Sequence, residues 1–176
     1  MGAPFTLKRL SSSKGYSVVE LLIVLAMVLM IIGYVWTQMT LAQRSHSRSN
    51  AAQQFTNYLE TARNDSMRRH AMDPSQMAQV TILNDSFYSV TIDANGDGAL
   101  DAPLVVSLAE QHLTINGPFP RTLMFDRLGK TVDSTQNSIS PEAITFTNRS
   151  GKSVVKLSDA GKPSVIQPGS TAIATK

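Results

Sequence analysis

The chain has 176 residues, of which 42% are hydrophobic and none is cysteine. The lack of cysteine excludes disulfides, thiolate metal sites and a cysteine nucleophile. The formal net charge is +3, but Lys8, Arg9 and Lys14 all lie in the first 15 residues, and the remaining side chains sum to zero. The basic balance therefore does not by itself indicate a nucleic-acid-binding protein. The length beyond the apolar N-terminal region suits one small domain.

An apolar segment over residues 18–36 is interrupted by a single charge, Glu20. At ~1.5 Å per residue, a helix of this length spans roughly 30 Å, about one hydrocarbon core. The cationic residues before it predict a cytoplasmic N-terminus, and Tyr34 and Trp36 lie where an interfacial aromatic belt is expected. The rest of the chain is then expected outside the cytoplasm. A lone carboxylate in lipid costs on the order of 2.5–3.5 kcal/mol and indicates a positively charged partner.

Three interpretations of this segment compete. A secretory signal peptide needs small residues after the apolar run, and the residues after it match this poorly. A plain signal anchor leaves Glu20 unexplained. Residues 14–24, which read Lys-Gly-Tyr-Ser-Val-Val-Glu-Leu-Leu-Ile-Val, resemble the class III prepilin motif of type IV pilin-like proteins. The resemblance implies that a prepilin peptidase cuts between Gly15 and Tyr16 and that Tyr16, where the family usually has Phe, is N-methylated.

The resemblance also gives Glu20 an assembly role, because in a filament it would approach the new Tyr16 amine of a neighbouring subunit. The helical pattern continues beyond the apolar segment, since Ala52, Phe55, Leu59 and Ala62 recur at spacings of three and four. One helix over about residues 16–72 is predicted. Residues 1–15 before this helix are the predicted leader. Residues 16–36 are expected to form the transmembrane and filament-core part of the helix, and residues 37–72 its amphipathic continuation.

Residues 73–176 are predicted to form a β-rich periplasmic head. Short β-like runs separated by turn signals predict strands at 77–83, 87–92, 104–108, 113–116, 122–125, 143–147 and 153–157. Residues 131–141 are predicted to be a surface loop and residues 167–176 a frayed end. The expected fold class is α+β, a type IV pilin-like fold with a long N-terminal transmembrane helix packed on a small antiparallel head.

The head resembles the GspH/FimT family of minor pilins and pseudopilins. The resemblance lies in the late-helix residues Leu59, Ala62, Arg63, Met67 and Arg69, in the loop 93–101, and in the closing strands that follow Phe125-Asp126-Arg127-Leu128-Gly129. It implies a structural subunit of a type IV pilus or a type II secretion pseudopilus. The implied partners are other subunits, the prepilin peptidase, the inner-membrane assembly platform and the membrane. No enzyme motif is present, so no catalytic residue is predicted.

Calcium is a candidate ligand of one loop. Oxygen-bearing side chains occupy positions 1, 3, 5 and 9 of a calcium loop at Asp93, Asn95, Asp97 and Asp101. The bidentate carboxylate expected at position 12 is missing, because Leu104 stands there. The favoured interpretation is a polar β-turn, since Asn-Gly and Asp-Gly are turn sequences in their own right, and a weak or partner-completed calcium site is the alternative.

DNA binding is a second functional candidate. Six acidic residues and no Lys or Arg lie between residues 73 and 120, whereas eight basic and four acidic residues follow. FimT-like proteins of competent bacteria are associated with DNA uptake through a basic Gly-Arg-x-Arg motif, whereas this chain has Gly-Lys-Pro-Ser at residues 161–164. The residues that would contact DNA phosphates are Arg149, Lys152, Lys156 and Lys162. A subunit-facing or solvated surface is the favoured interpretation of these charges.

Overall fold

The computed structural model describes residues 17–139 and 142–166. The chain separates into two compact units, Met1–Thr40 and Leu41–Lys176. One helix, α1 (Val18–Arg69), has 52 residues and includes parts of both units. The predicted leader, with the cleavage residues Gly15 and Tyr16, lies outside the described residues.

The described part of the first unit is an exposed apolar helix. Every residue from 17 to 44 is exposed, and the most apolar 18-residue window has a mean hydropathy of 2.8 and no buried residues. By length and composition, the helix is long and apolar enough to cross a membrane.

The start of α1 is capped by Ser17. Its Oγ accepts a hydrogen bond from the Val19 N–H at 3.3 Å, and its carbonyl oxygen accepts one from the Leu21 N–H at 3.2 Å. Glu20 stands at the third helical position, so Ser17 and Glu20 have the spacing of a capping box. A carboxylate in the first turn also interacts favourably with the helix dipole.

The helix ends at Arg69, three residues before the approximate predicted end at residue 72. His70 adopts a positive φ of 52°. The His70 N–H donates to the Met67 carbonyl at 3.3 Å and the Ala71 N–H to the Ser66 carbonyl at 3.1 Å. This is a Schellman motif, which usually has a glycine at the position of His70. The sequence therefore lacks the residue that most often marks such an end.

The head of the second unit contains two antiparallel sheets. The first has the order β3-β2-β1-β5-β6 and the second the order β4-β7-β8-β9. The strands are β1 (Gln79–Ile82), β2 (Phe87–Thr91), β3 (Leu104–Ser107), β4 (Thr114–Asn116), β5 (Arg121–Phe125), β6 (Thr131–Val132), β7 (Glu142–Asn148), β8 (Gly151–Leu157) and β9 (Pro163–Ile166). A short 3-10 helix (Ala109–Gln111) precedes β4. The long helix and the antiparallel sheets confirm the α+β class.

The head core forms where the later part of α1 meets both sheets. The predicted stripe of Ala52, Phe55, Leu59 and Ala62 is fully buried. The Phe55 ring makes edge contacts with Tyr88 of β2 at a centroid distance of 5.0 Å and with Phe146 of β7 at 5.3 Å. One helical side chain therefore joins the two sheets, and aromatic pairs of this kind are worth about 0.5–1.5 kcal/mol beyond area burial.

Two sequence predictions about the head were incomplete. The predicted surface loop 131–141 begins with a buried strand, since Thr131 and Val132 of β6 pair with β5 and are about 5% exposed. Val132 packs with Ala71 and Met77 in a small second cluster, a contact that no local pattern announces. Strand β9 was also not predicted; it pairs with β8 from Val154 to Leu157. The predicted frayed end at 167–176 lies outside the described residues.

Candidate functional site

The first part of α1 exposes large apolar side chains to solvent. Side chains such as Met30 and Trp36 are 77% and 72% exposed. Soluble monomers rarely expose contiguous apolar patches larger than a few hundred Å². An exposed apolar surface of this kind is typical of a helix that contacts lipid or another protein.

Glu20 is the only charged residue on this surface between residues 18 and 43. It is exposed, and among the described residues its carboxylate has no hydrogen-bond or ion-pair partner. Its predicted partner, the Tyr16 amine of another subunit, belongs to a residue outside the described range, as does the cleavage residue Gly15. The assembly role of Glu20 therefore stays a prediction.

In the head, the loop 93–101 is organised around the buried carboxylate of Asp93. Asp93 is 5% exposed. Its Oδ1 accepts a hydrogen bond from the Gly96 N–H at 2.6 Å and its Oδ2 accepts one from the Gly98 N–H at 3.0 Å. Both glycines have positive φ, which L side chains rarely adopt. The Asp-Gly-rich sequence therefore serves a turn, as the alternative to a calcium loop predicts.

The other three calcium candidates of the loop bond mainly to one another. The Asn95 amide donates to Asp97 Oδ2 at 3.0 Å and to Asp101 Oδ1 at 3.3 Å. Hydrogen bonds from the Ala99 N–H and from Asn95 hold the pKa of Asp97 below its usual value. The described residues contain no group of three or more His, Cys, Asp or Glu side chains arranged to hold a metal ion. Calcium binding stays a prediction.

Asp93 already has a cationic partner from the end of α1. Arg68 Nη2 donates to Asp93 Oδ2 and to the Asp93 carbonyl, both at 3.2 Å, and to Asp65 Oδ1 at 3.0 Å. Arg69 Nη2 donates to Asp65 Oδ2 at 2.7 Å. The two arginines and two aspartates thus fasten the loop to the helix.

Asp65 is the centre of this network. It is 6% exposed, and its Oδ2 also accepts the Asp93 N–H at 3.1 Å. Burial raises the pKa of Asp65, but the hydrogen bonds from Arg69, the Asp93 amide and Arg68 outweigh it and hold the pKa below its usual value. Asp65 is therefore charged at neutral pH.

Arg48, about five and a half helical turns before Arg68 on α1, holds the helix against the β7–β8 turn. Arg48 is 5% exposed. Its Nε donates to Ser153 Oγ at 3.0 Å, and its Nη1 donates to Ser150 Oγ at 2.9 Å and to Asn148 Oδ1 at 3.2 Å. Every one of these acceptors is neutral.

The four predicted nucleic-acid residues are exposed, but they do not form one cluster. Lys152 and Lys156 share the outer face of β8, because the alternate residues Ser153 and Val155 are buried. Arg149 lies in the turn before β8, and Lys162 follows the turn after it. The four charges are therefore distributed along a strand of about 20 Å.

Sequence reasoning missed the partners of the helix arginines. From the sequence, Arg69 is assigned only to the GspH/FimT-like pattern, and no partner is predicted for Arg48, Arg68 or Arg69. The contacts of these three arginines connect residues 24 to 105 positions apart, except for those to Asp65 and Ser45 on the same helix. The i, i+3 and i, i+4 spacing of Arg68 and Arg69 after Asp65 was the one local signal available.

Comparisons of the chain with models of protein families, with curated proteins and with solved structures found no match.

Proposed function

We propose that the chain is a structural subunit, a minor pilin or pseudopilin, that is assembled from the inner membrane into a type IV pilus or a type II secretion pseudopilus. The observation that carries this proposal is the character of α1. Its first part is apolar and exposed on all sides, whereas its later part buries one stripe in a β-rich head. A helix of this kind can be stored in lipid and then packed among the helices of other subunits.

The single carboxylate on the apolar surface supports the same proposal. Glu20 has no partner among the described residues, and a charge without a partner is costly in an apolar environment. A positive charge on a neighbouring subunit would remove that cost only at the correct axial position. Glu20 therefore sets the register between subunits, with the Tyr16 amine as its partner after cleavage at Gly15.

The proposal implies a cellular pathway. The precursor is inserted with its N-terminus in the cytoplasm and its head in the periplasm, as the cationic leader predicts. The prepilin peptidase removes residues 1–15 and Tyr16 is methylated. The inner-membrane assembly platform then transfers the subunit into the filament, where the head faces outward.

Glu20→Ala tests the proposal. We expect the variant to be cleaved after Gly15 like the parent but to enter filaments poorly, because its helix lacks the charge that pairs with a neighbour. Mass spectrometry of the native N-terminus measures cleavage and methylation, and cross-linking to co-purified filament subunits measures incorporation. Glu60→Ala is the control, since Glu60 is exposed on the head part of the same helix. Normal incorporation of Glu20→Ala, or an intact leader on the parent protein, would contradict the proposal.

DNA binding during natural transformation is the second candidate function. The exposed Lys152 and Lys156 on one face of β8, with Arg149 and Lys162 beyond its two ends, favour it. It predicts salt-dependent binding of double-stranded DNA that each of the four charge removals weakens to a similar degree. Electrophoretic mobility shifts at two salt concentrations measure this, and equal shifts for the parent and the fourfold variant would exclude it.

A further inference from the structure

A pocket of about 360 Å³, lined by polar and basic residues, lies where three segments of the head meet. Arg44 comes from α1, Gln111 and His112 from the end of the 3-10 helix, and Asn148 and Arg149 from the β7–β8 turn. Three of these five side chains can carry a positive charge and none is a carboxylate. Arg44, His112 and Arg149 are all exposed. The pocket is therefore lined by exposed side chains that can carry a positive charge.

The wall of the pocket is held in place by Asn148. Its Nδ2 donates to the Arg44 carbonyl at 2.8 Å, which joins the turn to the helix. Its Oδ1 accepts from the Ser150 N–H at 2.9 Å and from Ser150 Oγ at 2.7 Å. His112 is positioned by a left-handed backbone, with its N–H bonded to the Ala109 carbonyl at 3.0 Å. The backbone of the site is thus organised before a ligand arrives, which reduces the cost of binding.

A further positive charge, that of Arg48, lies directly behind Asn148 and is hydrogen-bonded to it. The buried Arg48 donates to Asn148 Oδ1, and no carboxylate is within ion-pair distance of it in the part of the chain that the structure describes. Neutral oxygens satisfy its N–H groups but leave its charge uncompensated. Since a buried charge is screened less than an exposed one, it makes the neighbouring pocket more favourable for an anion.

We propose that this pocket binds a phosphate monoester or free phosphate as a dianion, with Arg44 and Arg149 donating to its oxygens and Gln111 and His112 completing the donor set. Several converging positive charges match a dianion better than the single charge of a carboxylate or a phosphodiester. Guanidinium groups suit the tetrahedral oxygens of phosphate, to which they donate in pairs. The phosphate group is smaller than the pocket, so space remains for the molecule that carries it. This inference does not depend on filament assembly.

Phosphate titration of the full chain in phosphatidylcholine nanodiscs tests the proposal. Isothermal calorimetry at constant ionic strength, with chloride as the balancing anion, should show saturable binding of inorganic phosphate. Arg149→Gln and Arg44→Gln should each weaken it about tenfold, the loss expected for one charge-assisted hydrogen bond. Lys156→Gln removes an equal charge from the outer face of β8, away from the pocket residues, and should bind like the parent. Arg149 is in an exposed turn, so its replacement is the variant that leaves folding intact, and thermal melting checks this.

Two further arms identify the source of the phosphate and separate this site from general charge effects. Nanodiscs that contain phosphatidic acid should reduce the binding of free phosphate if a lipid headgroup occupies the pocket, and leave it unchanged if the natural ligand is soluble. Absence of saturable binding would overturn the proposal. So would equal weakening by Arg149→Gln and Lys156→Gln, because that result indicates screening by the whole basic surface.

Discussion

Asp65 shows what a single side chain contributes to this head. Its carboxylate forms ion pairs with Arg68 and Arg69, and the Arg69 side chain is only 10% exposed. The same carboxylate accepts a hydrogen bond from the Asp93 N–H at the start of the loop 93–101. Its charged form is favoured in the folded state, since its pKa is held below the usual value. A carboxyl group with a lowered folded-state pKa stabilises the protein above its unfolded-state pKa and loses that contribution as the pH falls through the folded-state pKa.

Asp65→Asn is therefore expected to destabilise the head by about 3 kcal/mol at pH 7, the scale for removing one partner of a buried ion pair. The difference from the parent should shrink as the pH falls below about 4, the usual pKa of an aspartate. Thermal unfolding followed by circular dichroism between pH 7 and pH 2 measures this. Glu60→Gln, at an exposed position of the same helix, should show little effect. A constant difference at all pH values would contradict the role of the Asp65 charge.

Arg68 bears on the calcium prediction at the same scale. Its guanidinium lies at 3.2 Å from Asp93 Oδ2, so it competes with any metal ion for the first ligand of the loop. Arg68→Gln should therefore bind calcium more tightly than the parent, and adding Asp97→Ala to it should remove the gain. Calorimetric titration of calcium measures both. If none of the three proteins binds calcium, the loop 93–101 is a turn stabilised by arginine and nothing more.

At the scale of elements, the later part of α1 contacts turns of the head as well as both sheets. Arg63 Nε donates to the Gly129 carbonyl at 2.9 Å, which holds the turn after β5 against the helix. Gly161, in the turn between β8 and β9, packs directly on the same carbonyl. The Arg63 of the GspH/FimT-like pattern thus connects one helix with two turns that are 32 residues apart in sequence.

Gly161→Ala tests this connection. Gly161 has a φ of +70°, and a Cβ there would overlap the Gly129 carbonyl oxygen. Gly98→Ala is the matched control, because Gly98 has a φ of +91° but open space around it. Both variants lose roughly 1–2 kcal/mol to the left-handed backbone, and Gly161→Ala should lose about 1–3 kcal/mol more to the overlap. Urea unfolding measures both, and equal losses would show that the turn moves away freely.

At the scale of the whole molecule, the two compact units have opposite relations to solvent. The described part of the first unit is exposed and apolar, whereas the second contains the buried core, the two sheets and the ion-pair network. A fragment of residues 41–176 should therefore be soluble and unfold cooperatively, while the full chain should require detergent or lipid. Analytical ultracentrifugation and thermal melting measure these properties. Aggregation of the fragment would show that the head depends on the first unit.

Local patterns in the sequence determined the apolar run with its lone carboxylate, the buried stripe of the later helix and the approximate positions of seven strands. The run is continuous in sequence and the stripe and strands repeat every two to four residues, so neighbouring positions are enough to reveal them. Only the tertiary structure decided that Arg68 contacts Asp93, that β6 is buried, and that Arg44, His112 and Arg149 surround one pocket. These contacts join distant parts of the chain, and their formation depends on how the helix and both sheets pack together, which no local period encodes.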